Sequence, residues 1–194
     1  MRQATITRNT KETQITASLT LDDRADGVVV HTGIGFFDHM LTAFAVHAGF
    51  SLHLECKGDL EVDCHHTIED TGIVLGQTIA AALGGRGGIM RYGSFFVPMD
   101  EALASAHVDI SGRPFLSFRA SFTAPMIGAM DTQMVEEFFR AVAAHSGMTL
   151  HLEVLYGEND HHKVEALFKA FGHALAAAVA RNRDGATLST KGVL

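Results

Sequence analysis

The sequence has few cysteines and no long apolar run, and each absence excludes a class of protein. Two cysteines, Cys56 and Cys64, are too few for a disulfide framework. No stretch approaches the roughly 20 apolar residues that span a bilayer. The polar opening of the chain lacks the apolar core of a signal peptide. These absences predict a cytoplasmic protein that neither crosses nor binds a membrane.

The chain also has no block of basic residues. Its formal net charge is −7 at pH 7, which argues against nucleic acid as a partner. An anionic small molecule would therefore need locally gathered arginines. With 47% hydrophobic residues in 194 positions, the chain has enough apolar side chains for a core. Histidine is unusually frequent, with 12 residues against two tyrosines and no tryptophan, and histidine serves proton transfer and metal ligation.

Two long segments of the chain resemble each other. The first starts at His39 and contains AVHAGFSLHLE and CHHTIED; the second starts at Glu137 and contains AVAAHSGMTLHLE and DHHKVEA. Upstream, at a different offset, a further match places Glu12 opposite Glu101. The glycine-rich GGRGG separates the two halves, which we place at residues 1–86 and 87–194. We interpret the chain as a duplicated α+β unit that forms one compact, pseudo-symmetric domain.

Hydrophobic periodicity predicts the same order of elements in both halves: three strands, a helix, a strand and a second helix. The predicted strands are ATITRNT, QITASLTLD, GVVVHT and SLHLECK, then GSFFVPM, LASAHVDIS, PFLSFRASF and TLHLEVLY. The predicted helices are FFDHMLTAFAVHA and the segment 65–83, then TQMVEEFFRAVAAHS and the segment 161–182. The prediction is two sheets with helices packed between them.

The last helix of each half begins with two adjacent histidines, and a glutamate follows three residues after the second. His65 and Glu69 are four residues apart, so the imidazole and the carboxylate share a helix face. His65 and His66 diverge by about 100° and are therefore predicted to serve two ions. Imidazole with carboxylate suits Mn, Fe, Ni or Zn better than Mg or Ca. The predicted ligands are His65, His66 and Glu69, and their repeat equivalents His161, His162 and Glu165.

The repeat adds one candidate ligand to each half. His39 aligns with Glu137, and both side chains are competent ligands for such an ion. Glu136 remains an alternative to its neighbour Glu137 as the residue that faces inward. The other histidines are interpreted as structural, and His173 has no partner in the pattern. Each half then offers four ligands, and eight ligands divided over two ions leave positions open to a substrate.

Taken together, the motifs resemble the imidazoleglycerol-phosphate dehydratases of histidine biosynthesis. In chain order they are RNTKET, TGIGFFDHML, CHHTIED, RYG, DISGRP, NDHHKVEALFKAFGHAL and STKGVL. The resemblance covers essentially the whole chain and implies a duplicated fold like the second domain of ribosomal protein S5. It also implies two manganese ions per active site and a shell of 24 identical subunits with active sites between them. Many relatives have histidine where this chain has Glu137.

The resemblance further implies a reaction, in which D-erythro-imidazole-glycerol phosphate loses water to give imidazole-acetol phosphate. The hydrogen removed beside the ring is not acidic, so ions on both sides of the ring are expected to stabilise an imidazolate. Glu12 is implied as the general acid–base, and His39 and Glu165 can share that role with metal binding. The implied phosphate-binding residues are Arg91, Arg113, Ser189, Thr190 and Lys191.

Two other functions fit the same residues. A dinuclear metallohydrolase acting on a phosphorylated or amide substrate would use the ions to activate water. A metal-storage or assembly protein would use them to hold subunits together. Conversion of imidazole-glycerol phosphate to a ketone separates the dehydratase from the hydrolase, and replacement of Glu12 separates an enzyme from a storage protein.

Overall fold

The computed structural model describes residues 1–183 and 185–190, and these residues form ten strands and four helices. The first half consists of β1 (Gln3–Asn9), β2 (Thr13–Thr20), β3 (Val28–His31), α1 (Gly35–Ala48), β4 (Ser51–Gly58) and α2 (His65–Leu83). The second half consists of β5 (Tyr92–Met99), β6 (Ala102–Asp109), β7 (Phe115–Arg119), β8 (Met126–Ile127), β9 (Met130–Asp131), α3 (Met134–Ser146), β10 (Thr149–Tyr156) and α4 (Asp160–Val179). No helix within these described residues is long and apolar enough to cross a bilayer.

The two main sheets have the same topology. The first has the order β1-β2-β4-β3, with β3 parallel to β4 and the other neighbours antiparallel. The second has the order β5-β6-β10-β7, with β7 parallel to β10. Apolar and polar side chains alternate along the strands, so one face of each sheet is apolar and becomes buried. In β2, Ile15, Ala17 and Leu19 are buried, while the side chains between them are polar. Helices pack on the buried faces, so the predicted fold of two sheets with helices between them is confirmed.

Three details differ from the sequence-based expectation. The last helix ends at Val179 instead of Asn182, because the following residues are extended and bond to the link between the halves: the N–H of Met90 donates to the carbonyl of Ala180. The strand β7 ends at Arg119, three residues early. The hairpin β8–β9 was not predicted, since two residues per strand are too few for an alternation to be recognised.

The helices pair across the two halves. Helix α1 packs on α4, and α2 packs on α3. Both crossings depend on a glycine, eleven positions after the first histidine of each pair. A Cβ atom at Gly76 would lie 2.8 Å from the carbonyl oxygen of Val142, and one at Gly172 would lie 2.6 Å from that of Phe44. The first helix of each half therefore lies beside the histidine pair of the other half.

A cluster of phenylalanines connects three of these helices in the core. Phe44 stacks on Phe171 with ring centroids 5.1 Å apart, and Phe138 stacks on Phe168 at 5.3 Å. Phe37 meets Phe138 edge to face at 5.2 Å. Each of these rings is at most 1% exposed, and full burial of such a side chain contributes about 1.5–3 kcal/mol. This packing holds the helices that carry the candidate ligands in fixed positions.

Two histidines meet where α1 crosses α4. Nδ1 of His47 lies 3.0 Å from Nε2 of His173. The His173 ring stacks on Phe95, with centroids 4.2 Å apart. Burial lowers the pKa of both histidines below the usual 6.5; the Arg24 cation acts in the same direction on both, and the Lys169 ammonium does so on His47. These contacts agree with the structural interpretation of both histidines, although the sequence pattern gave no partner for His173.

We expect this pair to make the fold less stable in acid. Both rings take up a proton less readily in the folded chain than an unfolded imidazole, whose pKa is near 6.5. The unfolded state then binds more protons, so the free energy of unfolding falls as the pH drops through about 6.5, and the full contribution is present above it. Urea unfolding of the metal-free chain between pH 5 and 8 measures this. His173→Gln should flatten the dependence, and the exposed His31→Gln should not; equal slopes in both variants would contradict the assignment.

Candidate active site

The crossing of α1 and α4 brings three predicted ligands together. Nε2 of His39 lies 3.6 Å from Oε2 of Glu165, and Nε2 of His161 lies 3.1 Å from the same oxygen. One ligand atom from each residue lies within 4.8 Å of the others. His39 comes from the first half and the other two from one face of α4, four residues apart. The cluster is therefore built by the meeting of the two halves.

Glu165 divides its two carboxylate oxygens between different partners. Oε1 lies 2.7 Å from Nζ of Lys169, and Oε2 faces the imidazoles of His39 and His161. Burial by itself raises the pKa of Glu165, but the Lys169 ammonium and the imidazoles outweigh it, and the pKa lies below its ordinary value. The carboxyl group is thus ionised at neutral pH. Two imidazole nitrogens and one carboxylate oxygen at this spacing fit a divalent transition metal.

The equivalent positions on α2 and α3 are arranged differently. Nε2 of His65 lies 3.4 Å from Oε2 of Glu69. Oε2 of Glu137 lies 3.4 Å from Nε of Arg140, whose Nη2 is also 2.6 Å from Glu136. Within residues 1–183 and 185–190, no other group of three ligand atoms is as close as the cluster on α1 and α4. Glu137 as a ligand therefore stays a prediction.

The second histidine of the first pair faces two loops. Nδ1 of His66 lies 3.0 Å from Oδ2 of Asp59, in the loop between β4 and α2. Nε2 of His66 lies 3.9 Å from Oε2 of Glu12, in the turn between β1 and β2. The bond to Asp59 raises the pKa of His66. The Glu12 side chain is 54% exposed, so the implied acid–base group can exchange protons with solvent.

The second histidine of the other pair has a comparable environment. Nδ1 of His162 lies 2.7 Å from Oε2 of Glu101, and its Nε2 lies 3.6 Å from Oδ2 of Asp100. Both acidic residues lie at the turn between β5 and β6. The bond to Glu101 raises the pKa of His162. The backbone N–H of Asn159 and the His162 ring lower the pKa of Glu101 to about 2.

The implied phosphate-binding arginines lie at the other end of β5 and β6. Arg91 immediately precedes β5; its Nε donates to Asp109 at 2.7 Å, and its Nη1 donates to the carbonyl of Leu188 at 2.7 Å. Arg113 lies 3.9 Å from the same Asp109, and its side chain is 68% exposed. Arg91 thus has three of its donor nitrogens engaged within the chain. Arg113 is the more accessible cation for a phosphate.

The C-terminal segment approaches these arginines. Leu188, which accepts from Arg91, directly precedes Ser189 and Thr190. The N–H of Ser189 donates to the carbonyl of Thr187 at 2.8 Å, which folds the segment back on itself. Lys191 lies outside the described residues. Two hydroxyl side chains of the implied set therefore neighbour the residue that Arg91 holds.

Sequence reasoning gave no role at the site to several residues that contact the candidate ligands, among them Lys169, Asp59, Asp100 and Glu101. Lys169 follows Glu165 by four positions on a helix, so the i, i+4 rule would have identified it. Asp59 and Asp100 lie in connections between elements, where no periodicity marks their direction. Their contacts with His66 and His162 depend on how each loop folds back over the start of a helix.

Comparison with known proteins identifies relatives along the whole chain. The family model of imidazoleglycerol-phosphate dehydratase matches residues 32–175. An imidazoleglycerol-phosphate dehydratase of Lactiplantibacillus plantarum is 57% identical over 195 aligned residues, covering 100% of both chains. One of Ruminiclostridium cellulolyticum is 55% identical with the same coverage. The full-length relatives therefore also span Glu12 and the C-terminal segment, which lie outside the matched range.

Solved structures agree in fold. The crystal structure of imidazoleglycerol-phosphate dehydratase from Staphylococcus aureus has a TM-score of 0.84 to this chain at 43% identity, covering 93% of this chain and 99% of that one. A crystal structure of the enzyme from Pyrococcus furiosus has a TM-score of 0.84 at 35% identity, covering 97% of this chain and 100% of that one. The resemblance read from the sequence motifs is confirmed.

Proposed function

The chain belongs to the imidazoleglycerol-phosphate dehydratase family and is a hydro-lyase, and on this premise we propose that it uses two manganese ions to eliminate water from D-erythro-imidazole-glycerol phosphate. The product is imidazole-acetol phosphate, an intermediate of L-histidine biosynthesis. Both cysteines are free and buried, which supports the cytoplasm as the proposed location. The cluster of His39, His161 and Glu165 is the observation that carries the metal-dependent part of the proposal.

The proposed division of labour follows from burial and charge. His39, His161 and Glu165 hold one ion, since the carboxylate is ionised and both imidazoles point at the same oxygen. An ion held by these three residues would supply Lewis acidity toward negative charge that develops on the substrate ring. Glu165 is buried and paired with Lys169, so it is poorly placed to carry protons to solvent. We therefore assign acid–base chemistry to the exposed Glu12.

The internal repeat supports a second ion position at His65, Glu69 and Glu137. It has two carboxylates where the first position has one, so its protein charge is more negative by one unit. This composition favours harder ions than the two-imidazole position does. Nε of Arg140 lies 3.4 Å from Oε2 of Glu137, the carboxylate oxygen that is proposed to bind the ion. The Arg140 guanidinium therefore has to release this oxygen when the ion binds to it. His66 and His162 point away from the adjacent histidines His65 and His161, toward separate loops. We propose that they bind ions shared with adjacent subunits.

The separation between the two ends of β5 supports an active site between subunits. Arg91 precedes the eight residues of this strand, and Glu101 with its partner His162 lies beyond its other end. At about 3.3 Å per residue the strand spans roughly 23 Å. A ring, three carbons and a phosphate do not reach across this distance. We therefore propose that metal ligands of one subunit combine with phosphate donors of another, within a shell of 24 subunits.

The test is turnover with defined metal content. After removal of metal with EDTA, we expect no ketone product from imidazole-glycerol phosphate, and Mn²⁺ should restore it without release of inorganic phosphate. Light scattering on the same samples should give 24 subunits with metal and smaller species without it. Absence of ketone in the Mn²⁺-loaded protein would overturn the proposed metal dependence. Phosphate release instead of ketone would favour the metallohydrolase.

A further inference from the structure

The second histidines of the two pairs share a feature that the ligand pattern does not explain. In each, Nδ1 is bonded to a carboxylate. Both oxygens of Asp59 lie near Nδ1 of His66, at 3.2 and 3.0 Å. Oε2 of Glu101 lies 2.7 Å from Nδ1 of His162. An ionised carboxylate has no proton to donate and can only accept hydrogen bonds. The donor is therefore Nδ1, which carries the ring proton.

This arrangement determines the tautomer of both rings. With the proton on Nδ1, a neutral imidazole presents the lone pair of Nε2, which is the atom that binds a metal ion. Carboxylates that hold the other ring nitrogen of a metal-binding histidine fix its orientation and raise its basicity. On both rings Nε2 points away from this carboxylate, toward Glu12 in one case and Asp100 in the other.

The two carboxylates are not related by the internal repeat. Glu101 aligns with Glu12, yet Glu12 faces Nε2 of its histidine and Glu101 faces Nδ1. Continuing the alignment of the LHLE strands places Gly157, which has no side chain, opposite Asp59. The same contact at Nδ1 therefore arises from different loops in the two halves. Inheritance from the ancestral unit does not account for it, whereas a shared requirement of both histidines does.

We propose that Asp59 and Glu101 are positioning residues that hold His66 and His162 with Nε2 free for a divalent cation. The inference rests on the proposed function, since it presupposes that these histidines bind metal. Glu101 has a second task, because its Oε1 accepts from the N–H groups of Glu158 and Asn159 just before α4. Through these bonds the turn between β5 and β6 is tied to the start of the helix that carries His162.

Substitution by the amide tests the role of the charge with little change of shape. In Glu101→Gln, Oε1 can keep the bonds to Glu158 and Asn159 while the amide NH₂ donates to Nδ1 of His162. The ring proton is then forced to Nε2, where it blocks a metal ion. We expect Glu101→Gln and Asp59→Asn each to weaken Mn²⁺ binding to the assembled protein by about 10- to 100-fold. Calorimetric titration with Mn²⁺ gives the Kd, and circular dichroism and light scattering check fold and mass.

Matched controls are available beside each residue. Glu61→Gln removes an exposed carboxylate from the loop of Asp59, and Glu158→Gln removes one from the connection before α4, whose N–H groups bond to Glu101. Both variants should leave the Kd for Mn²⁺ unchanged. Asp59→Glu keeps the charge and should recover affinity relative to Asp59→Asn, which a merely structural role would not require. Glu101→Gln can unfold if it loses the hydrogen bonds to the N–H groups just before α4. In that case the comparison of Asp59→Asn with Asp59→Glu tests the positioning role.

The outcomes separate this inference from the function on which it rests. Wild-type protein that binds Mn²⁺ and forms ketone, with variants of unchanged Kd, would overturn the positioning role and leave the dehydratase proposal intact. Wild-type protein that binds no Mn²⁺ would overturn both. A weaker Kd in both amide variants, unchanged Kd in the two controls and recovery in Asp59→Glu would establish the positioning role.

Discussion

Glu12→Gln is expected to lower turnover by about 10²- to 10⁴-fold, the range that a positioned general acid–base contributes. The side chain is 54% exposed and lies 3.9 Å from Nε2 of His66, so the amide fits the same space but cannot accept or deliver a proton. Because Glu12 is not among the proposed ligands, Mn²⁺ content and the mass of the assembly should stay at wild-type values. Steady-state kinetics with metal analysis of the same samples measure both.

Glu61→Gln is the matched control for this change. Glu61 is exposed and lines the same cleft as Glu12 and Asp59, so its replacement removes an equal charge from the same surface. Turnover of the control should be close to that of the wild type. Full activity in Glu12→Gln would contradict the acid–base assignment and return that role to His39 or Glu165. A metal-storage protein would instead show unchanged Mn²⁺ content and no ketone formation in the wild type and the variant alike.

Glu165→Gln is expected to abolish binding at the cluster and turnover with it. The amide replaces the carboxylate that both His39 and His161 face. An ion bound there would lose a charged ligand, which is a larger loss than that of a group that orients a ligand. Losing an orienting group costs about 10- to 100-fold in metal affinity, and we expect the loss here to exceed that range. Metal analysis should find less Mn²⁺ per chain. Undiminished Mn²⁺ content would exclude this cluster as an ion site.

Glu165→Gln should also lower the free energy of unfolding. Glu69→Gln, the equivalent change in the first half, separates this effect from the loss of metal binding. Glu165 is buried and bonded to Lys169, so the metal-free variant is expected to lose about 1–3 kcal/mol of unfolding free energy. Glu69, at the same position of α2, has a side chain that is 44% exposed. Glu69→Gln should therefore lower Mn²⁺ binding with little change in urea unfolding. Equal destabilisation by both variants would contradict the role given to burial.

Much of the architecture was predictable because it depends on short-range regularities. Alternation in segments such as β2 and apolar spacing in α1 identified the elements, and Gly49 and Gly147 end their helices in the left-handed conformation expected of a C-terminal glycine. The duplication followed from matching motifs. The strands β8 and β9 were missed because two residues per strand show no alternation, and the ends of β7 and α4 were misplaced. At the end of α4, contacts with a distant segment decide the backbone conformation.

The candidate site was predictable only in part. Helical spacing assigned His161 and Glu165 to one face, and the alignment added His39, but neither indicated that His39 would meet the histidine pair of the opposite half. That meeting requires α1 to pack on α4, and it depends on the absence of a side chain at Gly172 against the carbonyl of Phe44. The roles proposed for Glu101 and Asp59 likewise depend on loops that close over the helix starts.

The sequence by itself determined the composition of the site, the duplication and the divergence of neighbouring histidines, because 3.6 residues per turn dictate which side chains share a helix face. Only the tertiary structure decided which helices meet, which oxygen of Glu165 serves Lys169 and which serves the imidazoles, and which ring nitrogen of His66 and His162 is held. The physical reason is that these contacts depend on close packing between segments far apart in the chain, and the spacing of residues within one segment carries no information about that packing.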